Sequence, residues 1–292
     1  MRETLMFWGT RGSIPTPGAD TARYGGNTPC VAVTRRPDRL LILDAGSGIR
    51  PLGHALMQHQ NGGLHADILL SHTHWDHIQG LPFFKPLARR ANSIAIYGAP
   101  QESPQGRVAL EEILDRQMDP MVFPVPLRSL GASIHITEIG EQELEVDGFH
   151  VRSFRLRHPG VTLGYRLTPR SGAREVAYTT DNELGPGGAY PLPADWRARL
   201  AEALAGVDTL IHDAMYSDAM IDARGGWGHS TPRQAVELAA ECGARRLVLF
   251  HHEPEHDDAM MDALLADARA HARAVCPALT VDAAVEGMTI EL

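Results

Sequence analysis

The stretch SHTHWDHIQG, residues 71–80, constrains this chain more than any other. It places His72, His74, Asp76 and His77 within six positions, directly after the strand-like run ADILL. Residues two apart on extended backbone point the same way, so His72 and His74 can face one point. Four ligands this close in sequence fit two pairs serving two metal ions better than one ion. The alternative is a helix-capping Asp76 with three incidental histidines, but unpaired buried imidazoles are costly, which favours a metal site.

Other candidate ligands follow apolar runs in the second half of the chain. They are His158 in RLRHPG, Asp181 in AYTTDNE, and His251 or His252 in VLFHHEP. Each has an ordinary explanation alone, because histidine and aspartate often end strands. Their shared position just past a strand predicts that they converge on one sheet edge. The choice between His251 and His252 stays open at this level.

Short β-rich runs alternate with stretches of helical spacing along the chain. The runs TLMFWG, CVAV, LLILDAG, SIAIYGAP, HVRSFRLRH, TLGYRL, EVAYTTD, VDTLIHDA, RLVLFHH and GMTIEL are typical of strands. The stretches GIRPLGHALMQ, IQGLPFFKPL, RVALEEILDRQ, PRQAVELAAEC and AMMDALLADARAHARA favour helices. Two β-rich halves with helices predict an α/β fold, a four-layer αββα sandwich forming one domain over residues 1–292. No break in composition supports two domains.

Charge and cysteine content narrow the class of protein. The 292 residues carry a net charge of −9, so no global positive field would attract long nucleic acid. Cys30, Cys242 and Cys276 are odd in number and form no CxxC pair, which argues against a disulfide framework. No apolar run approaches a membrane span. We therefore expect a cytoplasmic protein without membrane association; the oligomeric state is open, with a homodimer as one possibility.

The motif SHTHWDH resembles the signature of the metallo-β-lactamase superfamily, and the later ligands fall in that family's order. The resemblance implies an αββα sandwich with a dinuclear site between the sheets. It implies two divalent ions per chain, with zinc expected and manganese or iron(II) as alternatives. One ion would be held by His72, His74 and His158. The other would be held by Asp76, His77 and a histidine of FHH, with Asp181 bridging; His251 is favoured over His252 because the family's ligand commonly follows the strand directly.

Two further stretches resemble the ribonuclease Z and cyclic-nucleotide phosphodiesterase branch. LIHDAMYSD followed by GWGHSTPRQA is similar to a paired motif of that branch, and the matching residues are His212, Asp213 and His229. Asp213 stands where the family has glutamate. An imidazole beside a phosphodiester could donate a proton to the leaving oxygen, and His229 is the candidate for this role. Asp76 and Asp213 are the other catalytic candidates. An ordinary helix start is the alternative for His229, with Ser230 or Thr231 as the cap and Pro232 at the first helical position.

The glycine-rich segments GTRGSIPTPG and YGGNTPC also resemble this branch. Arg11 and Asn27 are candidate substrate contacts there, with a tight structural loop as the alternative. Asp44 in LILDAGSG is expected to orient a ligand rather than to bind metal.

These features predict a metal-dependent hydrolase, a phosphodiesterase acting on a small phosphodiester such as a cyclic nucleotide. The chain has no basic, glycine-rich insertion like the arm with which ribonuclease Z enzymes grip transfer RNA. Hydrolysis of a lactone, thioester or β-lactam, or of short RNA, is the alternative on the same centre. A non-catalytic metal-stabilised binding protein is disfavoured, because all the ligand positions are filled.

Overall fold

In this computed structural model every predicted strand is present, and five further strands, β6 to β9 and β15 in the order below, were not predicted from the sequence. The structure describes residues 3–59, 62–186, 188 and 190–292. In chain order the strands are β1 (Thr4–Gly9), β2 (Cys30–Arg36), β3 (Arg39–Leu43), β4 (His65–Leu69), β5 (Ser93–Gly98), β6 (Gln101–Ser103), β7 (Gly106–Val108), β8 (Ser133–Glu138), β9 (Glu143–Val146), β10 (Phe149–Arg155), β11 (Leu163–Pro169), β12 (Val176–Thr179), β13 (Thr209–Asp213), β14 (Arg246–Phe250), β15 (Thr280–Ala283) and β16 (Thr289–Glu291).

The strands form two large sheets with the same internal pattern. The first has the order β16-β1-β2-β3-β4-β5-β8 and the second the order β15-β14-β13-β12-β11-β10-β9, while β6 and β7 form a small hairpin. In the first sheet β3, β4, β5 and β8 run parallel and the other pairings are antiparallel. In the second sheet β12 to β15 run parallel and the remainder is antiparallel. Each sheet therefore has a parallel half whose strands end at one edge.

Helices cover the outer face of each sheet. They are α1 (Ile49–His59), α2 (Trp75–Ile78), α3 (Leu110–Gln117), α4 (Trp196–Leu204), α5 (Asp218–Ile221), α6 (Pro232–Glu241) and α7 (Asp258–Val275). Apolar residues of α1 and α3 pack on the first sheet, and those of α4, α6 and α7 pack on the second.

A third apolar layer lies between the sheets. It joins Phe7 and Val31 of the first sheet to Tyr165, Tyr178 and Phe250 of the second. The four-layer αββα sandwich predicted from the sequence is confirmed.

Strand β14 contributes side chains to two of these apolar layers. Leu247 and Leu249 face the helices, whereas Val248 and Phe250 face the other sheet. Side chains alternate across a strand, so a run that is apolar at every position is buried on both faces. This explains why RLVLF is continuously apolar in the sequence.

The helix predicted for residues 78–87 is wrong. Helix α2 ends at Ile78, and two short 3-10 turns, Leu81–Phe83 and Lys85–Ala88, follow it. Pro82 and Pro86 fall inside these turns. A proline lacks the backbone N–H that an α-helix needs and clashes with the preceding turn, so the apolar spacing of this stretch could not be realised as one helix.

The carboxyl ends of parallel strands from both sheets meet at one edge. Asp44 follows β3, residues 71–77 follow β4, Asp181 follows β12, Asp213 ends β13 and His251 follows β14. In sheets of this kind ligands bind in the crevice beyond the carboxyl ends of the strands. The convergence of strand-end residues predicted from the sequence is therefore present. None of the described helices is long and apolar enough to cross a membrane.

Candidate metal centre

The first ligand group consists of His72, His74 and His158, which lie together with Asp181. His74 Nδ1 is 3.0 Å from His158 Nε2. Asp181 Oδ2 lies 3.7 Å from His72 Nε2 and 3.5 Å from His158 Nε2. One ligand atom from each of these residues lies within 4.8 Å of the other three, a spacing at which one ion could bind them all.

The second ligand group consists of Asp76, His77 and His251. Asp76 Oδ2 is 3.1 Å from His251 Nε2 and 3.3 Å from His77 Nε2, and one ligand atom from each residue lies within 4.8 Å of the other two. The three side chains are buried, and the imidazoles of His77 and His251 stack with their centres 5.3 Å apart. This group joins the loop after β4 to the end of β14 in the opposite sheet.

Asp181 lies between the two groups. Its Oδ2 faces the first group, while its Oδ1 is 3.2 Å from both His77 Nε2 and His251 Nε2. Thr180 Oγ1 also donates a hydrogen bond to Oδ1 and orients the carboxylate. One oxygen directed at each group is the arrangement expected of a bridging carboxylate, which was the sequence-based prediction for this residue.

The donor atoms fit a pair of divalent cations. His77 Nδ1 donates to Asp44 Oδ2 at 2.8 Å and His158 Nδ1 donates to the Gly228 carbonyl at 2.9 Å, so each Nε2 is left with its lone pair toward the cleft. The buried Nε2 atoms of His72 and His77 make no hydrogen bond within the described residues. Buried nitrogen atoms without partners are costly unless a ligand satisfies them. Imidazole and carboxylate together suit zinc, manganese or iron.

Burial and charge act in opposite directions on the pKa values of the site. Burial lowers the pKa of His158 to about 4 and that of His72 well below its ordinary value. Burial alone would raise the pKa of Asp76, yet His77 and His251 hold it well below the usual range. Neutral imidazoles and ionised carboxylates are the forms that bind metal ions.

Asp44 orients His77 from behind, as the sequence indicated. Besides His77 Nδ1, its carboxylate accepts hydrogen bonds from Ser71 N, Ser71 Oγ and Tyr178 OH at 2.7–2.8 Å. Asp44 is fully buried, and its four hydrogen bonds all come from protein groups. Carboxylates in this position fix the tautomer and the ring orientation of a metal-binding histidine.

His229 lies beside the candidate ligands, and one of its ring nitrogens is within 4.8 Å of ligand atoms of Asp181 and His251, so these three residues could also bind an ion. The ring centre of His229 is 5.1 Å from those of both His158 and His251. Its Nδ1 donates to Asp213 Oδ2 at 2.7 Å, and this carboxylate is held by the backbone N–H groups of Asn182 and Met215. Burial would lower the pKa of His229, but Asp213 outweighs it and the pKa rises to about 9. The shorter carboxylate therefore holds this histidine in spite of the departure from the family's glutamate.

The helix-start alternative for His229 also holds. Thr231 is the N-cap of α6 and forms a capping box with Gln234, and Pro232 follows at the first helical position. Thr231 and not Ser230 is the cap; Ser230 Oγ instead donates to the Asn182 carbonyl and accepts from Leu184 N. These contacts fix the backbone on the carboxyl side of His229.

Glu183 is a functional candidate that sequence reasoning missed. It is buried, and its carboxylate accepts hydrogen bonds from Gly226 N at 3.1 Å, Gly228 N at 2.9 Å and Tyr190 OH at 2.6 Å. It thereby holds the loop whose Gly228 carbonyl fixes His158. Gly228 has φ +87°, and a Cβ there would lie 2.1 Å from His158 Nδ1. In the sequence, Glu183 stands in the stretch TTDNE beside Asp181. Nothing in this stretch distinguishes a buried carboxylate from one on the surface.

His252 is not a ligand in this structure. Its Nε2 donates to the Ala284 carbonyl at 2.8 Å and its ring packs edge-on against Tyr24. His251 has a left-handed backbone with φ +60°, and it is His251 whose ring lies in the cleft. His212 also lies outside the cleft, because its ring nitrogens contact Asn182 Nδ2 and the Asp213 carbonyl.

The prediction that Arg11 contacts substrate is wrong. The side chain is 0% exposed, and its guanidinium donates to the carbonyls of Gly25, Glu253 and His256. The guanidinium is therefore enclosed by backbone and holds two loops together.

Asn27 is likewise structural. Its Nδ2 donates to Glu286 and its Oδ1 accepts from Ser47 Oγ. Both ends of the amide are therefore occupied by protein groups.

The GTRGS loop supports the second ligand group instead. Ser13 N donates to Asp76 Oδ2 at 2.8 Å. A Cβ on Gly12 would lie 2.5 Å from Cε1 of His251, so only glycine lets the loop pass this ring. In this structure the loop therefore contacts Asp76 and His251 of the second ligand group.

Comparisons with known proteins agree with this geometry. A family model described as a β-lactamase superfamily domain matches residues 39–252. Ribonuclease Z of Natronomonas pharaonis is 26% identical over 287 residues, covering 85% of this chain and 86% of that protein. The metallo-β-lactamase fold protein YhfI of Bacillus subtilis superimposes over 100% of both chains with a TM-score of 0.66 and 18% identity. A diphosphatase of the PhnP family covers 100% of this chain and 98% of its own, with a TM-score of 0.65 and 18% identity.

The match of the family model covers most of the chain, and the solved structures share its fold. The prediction of a hydrolase is confirmed at the level of this family. The cluster of histidines and aspartates occupies the sheet edge that the sequence resemblance implied. The chain therefore belongs to the metallo-β-lactamase superfamily, in the branch that contains ribonuclease Z.

Proposed function

We propose that the chain is a metal-dependent phosphodiesterase that binds two divalent ions, and we expect these ions to be zinc. The observation that carries this proposal is the position of His229. Its ring contacts one histidine of each ligand group, and Asp213 holds its Nδ1. A proton donor placed beside a pair of cations suits an ester with a poor, anionic leaving group, because both the charge and the leaving oxygen need stabilisation.

Different residues would bind the metal ions and transfer the proton. His72, His74 and His158 would hold one ion, Asp76, His77 and His251 the other, and Asp181 would contact both. When bound, the two cations would supply Lewis-acid stabilisation and neutralise the phosphoryl oxygens. Because Nδ1 of His229 is committed to Asp213, Nε2 is the atom that would carry a proton to the leaving oxygen. Asp213 would stabilise the charged imidazole before that transfer.

We propose a small phosphodiester, such as a cyclic nucleotide, as the substrate. The net charge of −9 provides no global positive field that would attract a long nucleic acid. Short RNA is the second candidate, and it is favoured by the similarity to ribonuclease Z over 85% of the chain. The similarity to a diphosphatase supports a phosphate ester in general but not a size.

A screen with the metal-replete protein tests the proposal. The substrates are cyclic nucleotides, dinucleotides, linear phosphodiesters such as bis-p-nitrophenyl phosphate, short RNA and a panel of lactones and thioesters. We expect turnover of phosphodiesters and no comparable turnover of the carbonyl esters. Preference for the lactones or thioesters would overturn the proposal, and preference for short RNA over cyclic nucleotides would replace the proposed substrate.

A further inference from the structure

Arg224 is half-buried in the segment before His229, and its guanidinium group packs against two aromatic rings. Its Cζ lies 4.4 Å from the ring centre of Trp227 and 5.9 Å from that of Tyr216. Trp227 is 54% exposed, while Tyr216 is buried. Two aromatic rings thus hold the cation in a defined place, an arrangement in which an arginine loses little conformational freedom on binding a ligand.

The position of Arg224 links it to His229. The Tyr216 ring packs edge-on against the His229 ring, with centres 5.5 Å apart. Trp227 stands two residues before His229 in the same loop, and its backbone N–H donates to the Arg224 carbonyl. Arg224 therefore lies on the side of the cleft from which His229 would protonate the leaving oxygen.

Arg224 is not neutralised by a salt bridge. Among the described residues, no carboxylate oxygen lies within 4 Å of its guanidinium nitrogens, whereas Arg128 and Arg233 are each paired with an acidic side chain.

We propose that Arg224 binds a second phosphate group of the substrate, carried on the leaving-group side of the scissile bond. Arginine is the side chain best suited to bidentate contact with phosphate oxygens. Arg11, the arginine first considered for such a contact, is enclosed by backbone carbonyls. This inference rests on the proposed phosphodiesterase activity for the identity of the first phosphate, and it names the class of substrate more closely: a phosphodiester that carries a further phosphate.

The test compares three diribonucleotides on the metal-replete protein. One has only its internal phosphodiester, the second adds a 5′-terminal phosphate and the third adds a 3′-terminal phosphate. In the Arg224→Ala protein we expect kcat/KM to fall about 10- to 100-fold for one of the phosphorylated compounds, because a charge-assisted hydrogen bond is lost. We expect kcat/KM to change little for the compound that has only its internal phosphodiester. Arg224→Lys should lose less, because it keeps the charge but not the planar fork.

Arg128→Ala is the matched control, since it also removes one arginine and is expected to leave all three rates unchanged. An equal loss on all three compounds in Arg224→Ala, or no loss on any, would overturn the role proposed for Arg224. If the wild-type protein cleaves none of the three, the wider substrate screen described above, and not Arg224, decides the proposed function. Calorimetric titration of the same compounds onto the wild-type and Arg224→Ala proteins then tests Arg224 without turnover. Equal affinities of the two proteins for the phosphorylated compounds would exclude a contact between Arg224 and the second phosphate.

Discussion

Asp44, Asp181 and His251 each have a positive φ, and each directly follows a parallel strand or lies one residue beyond it. The φ angles are +61°, +41° and +60°. Such backbone conformations are uncommon outside glycine and cost on the order of 1–3 kcal/mol each. The left-handed turn reverses the direction in which the side chain leaves the strand. At single residues, the fold thus gives up some stability to place Asp181 and His251 in the cleft and Asp44 behind His77.

His229→Ala tests the proposed proton donor. We expect the variant to keep its metal ions and to lose about 10²–10⁴ in turnover of substrates with poor leaving groups, because the proton is then missing. An activated nitrophenyl ester leaves without a proton and should lose much less. The measurement is kcat for both kinds of substrate, together with metal content. Equal losses for both substrates, or a loss of metal, would show that His229 acts as a ligand or structurally.

Glu183→Gln tests a positioning residue. The amide cannot accept from Gly226 N and Gly228 N together, so the loop that fixes His158 should loosen. We expect metal affinity to fall about 10- to 100-fold, as is typical when a group that orients a ligand is changed. Chelator competition measures this affinity. Tyr190→Phe is the control, because it removes one hydrogen bond to the same carboxylate and leaves the loop amides paired. A Glu183→Gln protein with a lower melting temperature but unchanged metal affinity would contradict the positioning role of Glu183.

At the scale of elements, helix α6 connects the stability of the fold to the site. Its capping box at Thr231 follows His229 by two residues, and its Gln234 completes the box. Short helices depend on such caps, since their first N–H groups have no partner within the helix. The same loop must therefore satisfy the helix start and direct an imidazole.

Thr231→Ala separates these two functions. Losing the cap should lower the free energy of unfolding by about 1 kcal/mol, measured by urea denaturation. Turnover should fall only modestly, because Ser230 and Asp213 still hold the two sides of His229. Thr231→Ser is the control, since serine caps equally well. A loss of turnover as large as that of His229→Ala would mean that the cap itself sets the direction of the imidazole.

At the scale of the whole molecule, the two sheets are joined by an apolar layer in the interior and by the ligand cluster at one edge. His72, His74, Asp76 and His77 come from the first sheet, whereas His158, Asp181 and His251 come from the second. Metal binding is therefore expected to cross-link the sheets. The single domain predicted for residues 1–292 remains a prediction, which this shared interior supports.

Asp181→Ala should remove both ions, because each carboxylate oxygen faces one ligand group, whereas Asp76→Ala should remove only one. Elemental analysis of the wild-type protein should give about two divalent ions per chain. Folding of each variant is checked by circular dichroism. A single tightly bound ion that persists in Asp76→Ala, or near-native activity in a folded Asp181→Ala protein, would contradict the dinuclear centre.

The metal-free protein should be unstable in acid. Although burial alone would raise the pKa values of Asp76 and Asp181, neighbouring histidines hold them well below the ordinary range. A carboxylate with a depressed pKa contributes stability above its unfolded pKa, about 4, and loses it as the pH falls further. Thermal melts in a chelating buffer from pH 7 to pH 3 measure this. Asp76→Asn should show a weaker dependence on pH than the wild type, and identical slopes would contradict the assignment.

The sequence by itself determined the kinds of ligand and their approximate place. SHTHWDH is a local arrangement, since a strand end and the following turn bring His72, His74, Asp76 and His77 together whatever the remainder of the chain does. Short β-rich apolar runs likewise made most strands predictable, and Thr231–Pro232 marked a helix start without any tertiary information. Even the broken helix after Ile78 was a local matter, because Pro82 and Pro86 were visible in the sequence.

Only the tertiary structure decided which neighbouring side chain faces the cleft. His251 and His252 are chemically identical in sequence, and the sign of one φ angle, set by packing between β14 and the GTRGS loop, separates them. Arg11 looked like a phosphate contact until carbonyls 14 to 245 residues away enclosed it. The two oxygens of Asp181 and the carboxylate of Glu183 likewise depend on contacts between distant segments. Residue type determines what a side chain can bind, but its direction past a strand end depends on the elements that pack against it.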